Sequence, residues 1–98
     1  MERLTKKDEF LERLGLEMDH VKAGLTELKA KSRKLQLEAR LDFEKGLQSL
    51  EKMEKDFKVR LGEWAKTGEK AGADVKKGLE RAAKELKKAV DDAASRLK

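Results

Sequence analysis

The sequence predicts an all-α protein: a long-helix antiparallel coiled coil or helical hairpin, assembled into a homo-oligomeric bundle. Three observations carry the prediction. Apolar residues recur at steps of three or four along most of the chain, acids stand four residues before bases at many points, and proline is absent. With 46% of its residues charged and 38% hydrophobic, the chain lacks the bulky side chains that fill a broad core. A narrow seam between helices is then the alternative to disorder, and periodicity selects the seam.

The first stretch of seam runs through Leu11, Leu14, Met18, Val21, Leu25, Leu28, Ser32, Leu35 and Ala39. Steps alternate between three and four, the mark of a heptad that keeps one face toward a partner helix. Ser32 is its single polar member. The middle of the chain, with Phe43, Leu47, Leu50, Met53 and Phe57, has no clean phase. Beyond it, Leu61, Trp64, Gly68, Gly72, Val75, Leu79, Ala82, Leu86, Val90, Ala93 and Leu97 follow steps closer to an eleven-residue repeat, which favours straighter packing. The expected packing residues are Leu11, Leu14, Met18, Val21, Leu25, Leu28, Leu35, Phe43, Leu50, Phe57, Leu61, Trp64, Val75, Leu79, Leu86, Val90 and Leu97.

Charge placement supports helix independently. Acid-to-base pairs at i,i+4 occur at Glu9/Arg13, Glu27/Lys31, Glu51/Lys55, Glu54/Lys58, Asp56/Arg60, Glu80/Lys84 and Asp92/Arg96. Each contributes about 0.2–0.5 kcal/mol to a helix. Thr5 followed by Asp8 reads as an N-cap with an acid at N3. The weakest helical stretch is residues 67–73, where Gly68 and Gly72 each cost about 1 kcal/mol relative to alanine. Asp74 is placed to cap a new helix there. The chain thus reads as one coiled-coil domain over 1–98, with a helix from about 5 to 66, a break at about 67–73 and a helix from about 74 to 97. An uninterrupted helix through the glycines is the alternative. A weaker candidate turn spans Lys29 to Lys34, where the seam drops to Ser32. A short second helix cannot cover the seam of a 60-residue one, so self-association is expected.

Composition also limits function. No cysteine is present, which removes disulfides and thiolate metal sites. No apolar run is long enough for a signal peptide or a membrane span, so a cytoplasmic protein is expected. The net charge of +5 is graded: residues 1–32 balance, 33–66 carry +2 and 67–98 carry +3. Acids interrupt the bases throughout, unlike the clustered basic stripe of a nucleic-acid binder.

Candidate chemistry is sparse. His20 is the one histidine and flanks the seam beside Val21. The carboxylate pairs Glu51/Glu54 and Asp91/Asp92 read as a solvated face. Gly68-x-x-x-Gly72 reads as a turn or a close helix approach, and Trp64 as packing opposite a glycine. No catalytic, cofactor-binding or metal residue is expected, nor a cofactor.

The segment Lys34-Leu-Gln-Leu-Glu-Ala-Arg-Leu-Asp-Phe-Glu-Lys45, the step Gly62-Glu63-Trp64 and the ending from Gly78 to Lys98, closing on Ala93-Ala-Ser-Arg-Leu-Lys98, resemble a family of small bacterial coiled-coil proteins of unknown function. They also look like apolipoprotein-like and stress-associated helical proteins. Phe43, Trp64 and the last six residues match that family's features, with Leu97 in place of its usual phenylalanine and Glu63 in place of a small residue. The resemblance implies an architecture class and a stress link, and no activity or site residues.

The leading functional expectation is a non-enzymatic structural or interaction coiled coil that associates with itself or docks a helical protein through a remaining apolar groove. The second is a peripheral membrane or lipid-associated protein acting through the basic amphipathic segment 74–97. The third is weak, nonspecific nucleic-acid binding, the least favoured of the partners.

Overall fold

A computed structural model describes residues 6–66 and 73–97. They form three helices: α1 (Lys6–Ser32), α2 (Leu37–Lys66) and α3 (Ala73–Ser95). The all-α class holds, and the architecture is a three-helix bundle rather than a two-helix hairpin. Its direction is up-down-up. Phe10 meets Trp64, so α1 and α2 run antiparallel. Arg13 pairs with Glu80 and Gly24 lies against Val90, so α1 and α3 run parallel.

The single long helix expected over 5–66 is two helices. The reversal falls at residues 33–36, overlapping the weaker candidate turn at Lys29 to Lys34 at its last two residues. Tight bonds close the end of α1: the amides of Arg33, Lys34 and Leu35 donate to the carbonyls of Ala30, Lys31 and Ser32 at 3.4, 3.1 and 3.0 Å. Such i→i+3 bonds satisfy carbonyls that a helix end leaves open. The Ser32 hydroxyl donates to the Lys29 carbonyl at 2.7 Å, and its side chain is fully enclosed. Lys29 and Lys31 in this last turn oppose the negative end of the helix dipole. The α2 ladder opens with the Arg40 amide donating to the Gln36 carbonyl at 2.8 Å.

The expected break at 67–73 lies almost wholly outside the described residues, as do Thr5, Gly68 and Gly72. Asp74 sits within the first turn of α3 rather than before it. There it acts as an acid at the positive end of the dipole.

The core is one cluster drawn from all three helices. Leu14, Met18, Val21, Leu25 and Leu28 of α1 are buried, with Phe57 and Trp64 of α2 and Leu79, Leu86 and Val90 of α3. Leu11, Leu35, Phe43, Leu50, Leu61 and Leu97 are half-buried. Val75 departs from the expected seam at 46% exposed. Ala39, read as the end of the first heptad run, is exposed. Phe10, Leu47 and Ala83 complete the core. Fully burying each large side chain contributes about 1.5–3 kcal/mol. The seam residues of α1 are therefore covered within one chain.

The phase of α2 is cleaner than its apolar residues suggest. Its inward positions are Phe43, Leu47, Leu50, Glu54, Phe57, Leu61 and Trp64, a heptad with a carboxylate in its centre. Met53 is exposed and Glu54 is buried at 5% exposed. The solvated face expected for Glu51/Glu54 is thus corrected at Glu54. The Lys58 ammonium stands 2.9 Å from Glu54 Oε1, although the angle there falls outside hydrogen-bond geometry.

Candidate functional site

The three grooves between helices differ. Arg13 of α1 bridges to Glu80 of α3 at 2.9 Å, and Lys29 of α1 lies 3.7 Å from Glu51 of α2. Among the described residues no ion pair joins α2 to α3. That groove is open, and the side chains of α3 explain why. Gly78, Ala82, Ala89 and Ala93 face it, each too short to fill the space beside α2.

Three cavities follow one another along this groove. One of about 410 Å³ is lined by Arg60, Glu63 and Trp64 from α2 and Val75, Gly78, Leu79 and Ala82 from α3. The next, about 210 Å³, shares Arg60 and Ala82 with it and adds Met53, Asp56, Phe57, Glu85 and Leu86. The last, about 260 Å³, lies between Asp42, Phe43, Gly46, Leu47 and Leu50 of α2 and Ala89, Asp92, Ala93 and Arg96. The floor is apolar, and four of the expected packing residues of α2, Phe43, Leu50, Phe57 and Trp64, form it. Val75, exposed to solvent, belongs to its wall.

The rim carries a charge opposite to that of the chain. Its charged residues are Asp42, Asp56, Glu63, Glu85 and Asp92 against Arg60 and Arg96. Among the described residues no lysine lines it, although the chain carries 25 basic residues, eighteen of them lysine, and 20 acidic ones.

An aromatic and cationic cluster gathers around Trp64 and Phe10. The rings of Phe10 and Trp64 meet edge to face at 5.1 Å. Lys7 lies 5.0 Å from the Trp64 centroid, and Arg13 and Lys76 lie 5.4 and 5.1 Å from that of Phe10. These contacts draw on all three helices and fix the indole that forms the groove's floor. Gly78 of α3 lines the same cavity as Trp64, and the ring that packs on the indole is Phe10. One sequence signal could have found it: Phe10 stands four residues before Leu14, an equally good helical step.

His20, Asp91 and Asp92 are exposed. Among the described residues, no three His, Cys, Asp or Glu side chains gather as a metal would require, and no helix is long and apolar enough to cross a membrane. No family model, curated protein or solved structure matches this chain.

Proposed function

We propose that this chain is a non-enzymatic interaction module that docks a helix of another protein in the α2–α3 groove. The observation that carries the reading is the groove itself. It is an apolar channel running past several turns of two antiparallel helices, left open by small side chains. A helix laid there would complete a four-helix arrangement, the way an amphipathic helix fills a groove through residues at i, i+3, i+4 and i+7. Photocrosslinking tests it. A crosslinker replacing Met53, on the groove wall, is expected to capture a helical protein that one replacing Leu16, exposed on α1, does not. Equal labelling from both positions counts against the groove.

Self-association is the second reading, favoured by Leu37 and Leu41. They stand one turn apart at the start of α2, exposed at 60% and 47%. A monomeric mass in sedimentation at every concentration removes it. The membrane reading weakens for a physical reason. Leu79, Ala83, Leu86 and Val90, the apolar face that α3 would insert, are buried against the other helices, so insertion would first have to open the bundle.

A further inference from the structure

Building on the docking reading above, we propose that the occupant of the α2–α3 groove is an amphipathic helix with large aliphatic side chains on its inner face and basic residues on both flanks. Two kinds of complementarity argue for it. The first is volume. The α3 wall is glycine and alanine, and the cavities beside it hold about 410, 210 and 260 Å³. An incoming leucine at each level fills such space, whereas alanine leaves voids that forfeit contact energy. The second is charge. Five acids and two arginines rim the groove, with no lysine among the described residues, in a chain of net charge +5. Lysine or arginine flanking the partner's apolar face would meet Asp56 and Glu85 on opposite walls, and Asp92 further along. Acidic flanks would meet repulsion, so the rim selects as well as attracts.

The same charges argue against a second copy in this groove. A two-fold interface sets a patch against itself, and here that would place acidic rim on acidic rim. An anionic membrane surface meets the same repulsion.

The test uses the full chain and two synthetic helical peptides. Both carry leucine at heptad positions a and d; one has lysine at e and g, and its twin has glutamate there. The chain has one tryptophan, on the groove floor, so the emission of Trp64 reports occupancy directly. The lysine peptide is expected to shift that emission and to bind at least tenfold more tightly than the glutamate twin at low salt. The gap should narrow as salt rises. Asp56→Lys with Glu85→Lys should invert the order, and Ala82→Phe, which fills the groove, should abolish both signals. Circular dichroism confirms that each variant folds. Equal binding of the two peptides, or an unchanged order after charge reversal, overturns the basic partner while leaving a docking groove. No Trp64 response to either peptide overturns both readings. A Trp64 shift on concentrating the protein alone gives the groove to a second copy and overturns the proposal.

Discussion

The edge of one ring meets the face of the other where Phe10 packs on Trp64, with centroids 5.1 Å apart and planes at 74°. Such a pair adds about 0.5–1.5 kcal/mol beyond the area it buries. Arg13 and Lys76 also lie over the Phe10 ring, each worth about 0.5–1 kcal/mol at an exposed site. Phe10→Leu keeps most of the bulk and removes these terms. It should cost about 1.5–3.5 kcal/mol in urea unfolding. Phe10→Ala adds a cavity and should cost about 3–5 kcal/mol. A leucine variant as stable as the parent would mean the aromatic contact contributes nothing.

Gly24 lets α1 and α3 approach. A Cβ built there would stand 2.9 Å from Val90 Cγ1, and a β-branched side chain has few ways to yield. At Gly62 in α2 a Cβ meets nothing within 4 Å. Alanine should therefore have opposite effects at the two sites. Gly62→Ala should gain about 0.5–1 kcal/mol from helix propensity alone. Gly24→Ala should lose stability, because overpacking costs about 1–3 kcal/mol against that same gain. Adding Val90→Ala to Gly24→Ala should recover part of the loss as a coupling of about 0.5 kcal/mol or more. Additive effects in the double variant would place the strain elsewhere.

The heptad of α1 was readable because every member but Ser32 is apolar. The phase of α2 was not, because its central member is Glu54 and the apolar Met53 beside it draws the eye. The turn was nearly hidden. Arg33, Lys34, Leu35 and Gln36 all favour helix, and only the polar Ser32 marks the place. What stops the helix there is tertiary: α2 buries more of its own seam by folding back than by running on. The acidic rim could not be read along the chain at all. Asp56 and Glu85 are far apart in sequence and share a groove only because α2 and α3 run antiparallel.

Glu54 occupies a core position where a leucine would continue the heptad. Its carboxylate is desolvated, and its counter-charge, Lys58, sits half in solvent. Glu54→Leu should stabilise the bundle by about 1–3 kcal/mol, as hydrophobic replacement of buried charge often does. Lys58→Ala should cost stability by leaving the carboxylate buried without its ammonium, less than the ~3–5 kcal/mol of a fully buried pair because Lys58 is 41% exposed. Chemical denaturation of both variants checks the pair. Loss of stability in Glu54→Leu would mean that the carboxylate is fully compensated where it stands.

The connection Arg33–Gln36 joins two helices with residues that would all accept helix. That makes it a hinge for exchange between copies. Lys34→Ala, Leu35→Ala and Gln36→Ala together remove the half-buried Leu35 and raise helix propensity across the turn. With the turn lost, α1 and α2 would form one helix about 90 Å long. Each chain would then complete its bundle with an α1 donated by its neighbour. The triple variant should show twice the parent's mass in light scattering and a radius of gyration well above the single chain's 15.9 Å. Lys34→Gly, which penalises the continuous helix by about 1 kcal/mol, should keep the parent's mass. A triple variant that keeps the parent's mass at every concentration would show that packing of the three helices holds the turn closed whatever its sequence.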